Sequence, residues 1–283
     1  MSHEAVPYTE ILRRHGFAFS KAMGQNFLIN PGVCPRMAEL SGAHAGCGVL
    51  EIGPGAGVLT RALAARAGRV AAVELDARLL PVLEETLRGL DNVAVIQGDI
   101  LKLDLRALLA EQFPPGMPVM VCANLPYYIT SPVIMRLLES RLPLVSLTVM
   151  VQKEAAERLC APVGSRASGA VTAAVAYYAE ARQLFSVSRG SFFPAPKVDS
   201  AVIQLSLRKN PPVALSDEAA FFRLVRAAFA QRRKTAANAV SAGLGWEKAR
   251  VLDALARAGL PAEIRAEAMT LEQLAELARA LGY

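Results

Sequence analysis

Between residues 48 and 152, short apolar runs alternate with amphipathic stretches, the pattern of a parallel sheet covered by helices. The runs at 48–52, 69–74, 93–97, 119–123 and 144–152 predict five strands. The stretches at 58–67 and 78–87 predict the helices between the first of them. Upstream, residues 9–15 predict a short helix stopped by Gly16, followed by a polar segment over 20–30. Downstream, residues 201–208 predict one further strand, and Lys209-Asn210-Pro211-Pro212 then breaks the pattern as a linker would. Residues 216–282 follow a helical period, opened by Ser216-Asp217-Glu218 and punctuated by Gly243, Gly245, Gly259 and Pro261. The expected organisation is an α/β domain over 1–208 and a small all-helical domain over 209–283.

Charge and composition narrow this picture. Lys and Arg total 31 against 25 Asp and Glu, for a net charge of +6 and a pI near 9.3. That balance is compatible with a nucleic-acid partner, although an ordinary solvated surface is its commoner cause. No apolar run approaches the roughly 18 residues needed to cross a bilayer. Met1-Ser2-His3-Glu4-Ala5 has neither the basic nor the apolar part of a secretion signal, so a cytoplasmic protein without membrane contact is expected. Cys34, Cys47, Cys122 and Cys160 form no C-x-x-C pair and read as reduced, mostly buried thiols. His3, His15 and His44 make no ligand pair at helical spacing. Neither a metal site nor an imidazole-activated nucleophile is therefore expected.

Chemistry concentrates at the carboxyl ends of the strands, where open α/β sheets bind ligands. Glu51-Ile52-Gly53-Pro54-Gly55-Ala56-Gly57 follows the first strand and opens a helix. Its glycines let backbone pass close beneath a ligand. The spacing is G-x-G-x-G, so the G-x-G-x-x-G dinucleotide fingerprint is not met, and no P-loop is present. Glu74 ends the second strand, placed to accept from ribose hydroxyls, and Asp99 follows the third, placed to accept from an adenine amine. Taken singly, Glu74 reads as a solvated strand-end charge and Asp99 as a turn or helix cap. Together with the glycines they describe a slot for an adenosyl group. Glu51 before the loop opposes a phosphate and suits an ammonium, which favours S-adenosylmethionine over NAD or FAD.

The fourth strand runs into Asn124-Leu125-Pro126-Tyr127. The Asn oxygen and a turn carbonyl can accept both hydrogens of a planar amine while the Tyr ring covers one face. This suits methyl transfer onto an exocyclic or amide nitrogen.

These motifs occur in one order with Gly24-Gln25-Asn26-Phe27-Leu28 near the start, Phe192-Phe193-Pro194-Ala195-Pro196-Lys197-Val198-Asp199-Ser200, and Phe229-Ala230-Gln231-Arg232-Arg233-Lys234-Thr235 in the tail. In this the chain closely resembles the ribosomal RNA adenine dimethyltransferase family, in its small-subunit branch, from about Arg14 into the tail. The departure is minor: Ala236-Ala237 follows Lys-Thr where members often carry bulkier residues. The resemblance implies a Rossmann-like methyltransferase sheet flanked by helices. It implies that Gln25, Asn26 and Leu28 close over the methionine end of S-adenosylmethionine, with Glu51, Gly53 and Gly55 beneath it. Glu74 would take the ribose, Asp99 the adenine and Asn124 the target amine, with Tyr127 and Phe192 stacking on the flipped base. Phe192 also admits ordinary core packing, but its Phe-x-Pro-x-Pro context is expected to present the ring.

The implied activity is dimethylation of two adjacent adenosines in the 3′-terminal hairpin loop of small-subunit ribosomal RNA, during ribosome maturation; separately, a monomer is expected. Arg13, Arg14 and Lys21 near the entrance, and Arg232, Arg233 and Lys234 on the tail, are candidate phosphate contacts. Alternatives are the sister class acting on large-subunit RNA, a DNA-amine or protein-glutamine methyltransferase, and a non-catalytic module of ribosome assembly or transcription. The C-terminal region favours the small-subunit class, the Gln25 and Phe192 segments oppose DNA and protein substrates, and intact Asn124 and Tyr127 oppose a purely binding role.

Overall fold

A computed structural model describes residues 8–17 and 26–283. The chain divides into two compact units. The first comprises Met1–Ala156 and Arg182–Leu207, the second Glu157–Ala181 and Arg208–Tyr283. The cut after Leu207 lies one residue from the expected boundary. The single division into 1–208 and 209–283 nevertheless needs correction, because residues 157–181 group with the helical tail.

In chain order the strands are β1 (Phe27–Leu28), β2 (Gly48–Ile52), β3 (Arg69–Glu74), β4 (Val93–Gln97), β5 (Val119–Asn124), β6 (Leu144–Gln152), β7 (Ala179–Val187), β8 (Phe192–Phe193) and β9 (Ser200–Leu207). Seven of them form one sheet in the order β4-β3-β2-β5-β6-β9-β7. Strands β2 to β6 run parallel, and β9 is antiparallel to β6. β2 is buried along its whole length and β5 up to Asn124, which is why their sequences read as continuous apolar runs rather than alternations. The chain steps outward from β2 to β4 and then returns to β5 on the other side of β2. The reversal at β2 and β5 is the switch point at which such sheets open a crevice.

The helix expected over 58–67 spans Val58–Ala64. The one expected over 78–87 divides into a single 3-10 turn, Ala77–Leu79, and a helix Leu80–Thr86 with Pro81 in its first turn. Helices Val33–Leu40 and Val58–Ala64 bury Cys34, Met37, Leu59 and Leu63 in a cluster with Val49, Val70 and Cys122 of the sheet. β1 and β8 make a separate two-stranded ribbon pairing Phe27 with Phe193 and Leu28 with Phe192.

In the second unit, Asp217 caps helix Glu218–Phe229 by accepting from Ala220 N at 2.8 Å, as its sequence signal indicates. Gly245 ends helix Ala236–Leu244 in the left-handed conformation. Gly243 does not punctuate the chain. It lies inside that helix, where a Cβ would come within 2.7 Å of the Ala227 Cβ on the neighbouring helix.

Candidate active site

A cleft opens over the carboxyl ends of β2, β3 and β5. It is lined by Asn26, Leu28, Glu51, Gly53, Gly55, Glu74, Asp99, Asn124, Tyr127 and Phe192, so the described motif residues converge on one place. Gln25 and Lys21 lie outside the described residues. Gly53 (φ +70°) and Gly55 (φ +60°) hold the left-handed conformation that a side chain would strain, and a Cβ on Gly55 would also press on the Phe27 ring at 3.3 Å. The turn is fixed to β3 by Gly53 N–H donating to the Val73 carbonyl at 2.9 Å.

Three acids meet the cleft in three different states. Glu51 is 1 % exposed, and neither its Oε2 nor the neighbouring Thr60 Oγ1 makes a hydrogen bond of ordinary geometry among the described residues. Burial pushes its carboxyl up to about 8, a rise tempered by the nearby Thr60 hydroxyl and reinforced by the Glu74 charge. Glu74 is also buried, but its Oε1 accepts from Asp76 N at 2.8 Å and its Oε2 from Gly55 N at 3.2 Å. Burial raises its pKa and those backbone donors oppose the rise. Asp99 is half-open and does form the turn its position suggests: its Oδ1 accepts from Leu101 N at 2.9 Å, while Lys102 Nζ lies 3.7 Å from Oδ2. Cys34 lines the same wall with its thiol pushed up to about 12 by burial and the Glu51 charge, so it is an inert wall rather than a nucleophile.

On the other side, Asn124 terminates β5, and its side-chain amide has no hydrogen-bond partner among the described residues. Pro126 starts a single 3-10 turn, Tyr127–Ile129. The Pro126 carbonyl is engaged by Ile129 N at 3.1 Å, leaving the Leu125 carbonyl as the turn carbonyl that accepts nothing among the described residues. The Tyr127 hydroxyl lies 2.7 Å from Ser200 Oγ, which fixes the ring. Burial raises the Tyr127 pKa.

Phe192 corrects an expectation. Its ring reaches the cleft but is only 3 % exposed, packed with Leu28, Met150, Val187 and Val202, whereas Phe193 is 50 % exposed. Pairing in the β1–β8 ribbon sets the alternation and turns the first ring inward.

Sequence reasoning also missed apolar contributors. Leu75, 46 % exposed between two buried acids, and the buried Ile100 after Asp99 both line the cleft beside Glu74 and Asp99. The available signal was an apolar residue directly following each strand-end acid. Of the basic candidates, Arg13 pairs with Glu10 at 2.6 Å and Arg14 with Glu85 at 2.5 Å. Arg232 donates to the Arg166 carbonyl and sits 3.8 Å from Glu267. Arg233 and Lys234 are exposed beside it, with no ion pair among the described residues.

A parallel sheet carrying a glycine turn, two further strand-end acids and an Asn-Leu-Pro-Tyr turn around one crevice defines a Rossmann-like methyltransferase. Comparison with known proteins gives the family. The sequence profile of ribosomal RNA adenine dimethylase matches residues 16–280, and the chain belongs to that family. It is 48 % identical over 275 residues to ribosomal RNA small subunit methyltransferase A of Geobacillus thermodenitrificans, covering 96 % of this chain and 94 % of that one. Its identity to the protein of the same name from Bacillus licheniformis is also 48 %, over 271 residues, with 95 % and 93 % covered. Among solved structures, a dimethyladenosine transferase from Plasmodium falciparum superposes with a TM-score of 0.71 at 26 % identity, covering 89 % of this chain and 95 % of that one. The 23S rRNA methyltransferase ErmE superposes with a TM-score of 0.66 at 29 % identity, covering 91 % and 100 %. No helix of the described residues is long and apolar enough to cross a membrane.

Proposed function

We propose that this cleft dimethylates the exocyclic amines of two adjacent adenosines in the 3′-terminal hairpin loop of small-subunit ribosomal RNA, using S-adenosylmethionine, on the ribosomal RNA or a small-subunit precursor. The observation that carries the reading is the Asn124 side-chain amide, without a hydrogen-bond partner among the described residues, at a cleft that also holds the buried Glu51 carboxyl, whose Oε2 is likewise unsatisfied there. The donor set fits the cofactor. Glu51 offers an acceptor for an ammonium where a phosphate would be repelled, with Asn26 and Leu28 beside it. Glu74, already held by two backbone N–H groups, keeps lone pairs for ribose hydroxyls. Asp99 Oδ2, with Leu75 and Ile100 lining the cleft beside it, would accept from the adenine amine. When bound, S-adenosylmethionine supplies an electrophilic methyl on a positive sulfur.

The remaining work belongs to the chain. An adenine amine is a weak nucleophile because its lone pair is delocalised into the ring. Asn124 Oδ1 and the Leu125 carbonyl accept its two hydrogens, which turns the nitrogen toward tetrahedral geometry and directs a lone pair into the cleft. Tyr127, held by Ser200, covers the base, and the Phe192 edge closes the floor. The methylated ammonium is acidic and loses its proton to water, so no side-chain base is needed. Arg233, Lys234 and the other basic candidates contribute phosphate contacts that weaken with salt.

Large-subunit RNA is the second reading, on the likeness to ErmE, but the higher identity to the small-subunit relatives favours the first. Mass spectrometry of small- and large-subunit RNA after incubation with isotopically labelled cofactor tests both. Two labels on each of two adjacent small-subunit adenosines are expected; label on large-subunit RNA alone would overturn the assignment. Asn124→Ala is expected to slow transfer at least about tenfold, about 1.4 kcal/mol of barrier, with cofactor affinity retained.

A further inference from the structure

Tyr127 and Tyr128 are neighbours in one turn, yet they are held differently. The Tyr127 hydroxyl is bonded to the buried Ser200, whereas Tyr128 lines the same cleft with 55 % of its surface exposed. The Tyr128 hydroxyl makes no hydrogen bond and its ring no ring contact among the described residues. A large aromatic left open at the rim of a site built for a flipped base is a π-face awaiting a partner. We infer that Tyr128 is the stacking platform for the nucleobase adjacent to the target adenosine in the same strand, a subsite separate from the one that grips the target.

The inference rests on the proposed RNA adenine substrate and adds a second nucleotide to it. Drawing a base out of a loop strips a stacking face from its neighbour as well. A ring at the cleft rim returns that face and holds the strand in register, as sequence-tolerant aromatic platforms do elsewhere. The chemistry also suits a pair of adjacent targets. After one adenosine has been dimethylated it becomes the neighbour of the next, and its amine has lost both hydrogens. A subsite reading that amine by hydrogen bonds would reject the methylated base, whereas a ring face accepts both forms.

The test uses small subunits reconstituted from unmethylated RNA, with the 3′ hairpin ligated to carry either an intact base or an abasic residue beside the target. With the intact neighbour, Tyr128→Ala is expected to raise the KM for subunits about tenfold, within the range of base–aromatic stacking. The kcat and the calorimetric affinity for S-adenosylhomocysteine should stay close to wild type, and Tyr128→Phe and Tyr128→Trp should restore KM. With the abasic neighbour, wild type and Tyr128→Ala should share one KM. A penalty that persists on the abasic subunits, or a loss of S-adenosylhomocysteine affinity, overturns the platform. Failure of the wild type to methylate intact subunits would instead overturn the proposed function.

Discussion

Replacing Glu51 by Gln separates what the fold wants at this position from what the proposed cofactor contact wants. The folded carboxyl stands at about 8 against 4.5 for an unperturbed one, because it is fully buried and no cation among the described residues offsets that burial. The folded state therefore holds this proton more tightly than the unfolded state. The stability that goes with it is complete below pH 4.5 and is lost as pH rises through 8. At pH 7 the deficit is about 3 kcal/mol, from roughly 2.5 pH units at 1.36 kcal/mol each. Gln has no proton to lose, and its amide N–H finds an acceptor in the otherwise unpartnered Thr60 Oγ1. The variant should melt several degrees higher than wild type at pH 7 and lose the pH slope between 5 and 8.

Cofactor binding should respond the other way. An ammonium needs the carboxylate, and at pH 7 only about one wild-type molecule in ten carries it. Wild-type affinity for S-adenosylhomocysteine, which keeps the ammonium, should rise roughly ninefold from pH 6 to pH 7, with about one proton released on binding. Calorimetry in buffers of different ionisation enthalpy reads that proton directly. In Glu51→Gln the slope and the proton release should vanish, with affinity at pH 7 down by about tenfold for the lost charge-assisted bond. A Gln variant that melts lower than wild type at pH 7 while keeping full, pH-dependent affinity would overturn both roles given to Glu51.

Two further outcomes are expected. Glu74→Ala removes the acceptor of the Gly55 and Asp76 N–H groups as well as the proposed ribose contact, so calorimetry should show cofactor affinity falling at least about tenfold, the loss of one hydrogen bond to a charged group; unaltered affinity would count against that contact. Gly243→Ala forces a methyl against the Ala227 Cβ at 2.7 Å and should cost about 1–3 kcal/mol by denaturant unfolding, with cofactor affinity unchanged; a variant as stable as wild type would show that the two helices can separate without penalty.

How much of this was legible follows from where each signal lives. β2, β3, β5 and β6 read correctly from the sequence because parallel strands buried on both faces leave continuous apolar runs, while the half-exposed edge strand β4 reads through its Val93-Ala94-Val95-Ile96 run, and the motifs at the strand ends share the cleft because the topology brings those ends together. Residues 153–199 offered no clear period. Helix Ala170–Tyr178 is apolar almost all round, so it carries no amphipathic stripe. Its grouping with the C-terminal helices is tertiary: Tyr177 and Tyr178 both donate to Glu218, 40 residues or more downstream. Gly243 misread as punctuation for the same reason, since a glycine required by a neighbouring helix looks no different in sequence from one required by a turn. Phe192 shows the limit of a local argument about proline-rich segments, because strand pairing decided which of two adjacent rings turned inward.

The hydrogen bonds across the cleft are unevenly distributed, and the imbalance bears on which base the site admits. On the proposed cofactor side Glu74 and Asp99 are already oriented by backbone N–H groups, so little reorganisation would remain when a ligand arrives. On the proposed substrate side the Asn124 side chain and the Leu125 carbonyl have no partner among the described residues. The Asn amide can rotate to present either an oxygen or an NH₂, so on its own it would accommodate a carbonyl as readily as an amine. The backbone carbonyl has no such freedom, because β5 and Pro126 fix its direction. A purine with oxygen in place of the amine would set two acceptors face to face and leave both desolvated, a cost with no compensating bond. In the proposed reaction, discrimination for an amine would therefore reside less in the conspicuous side chain than in the peptide group after it, which no single side-chain substitution removes.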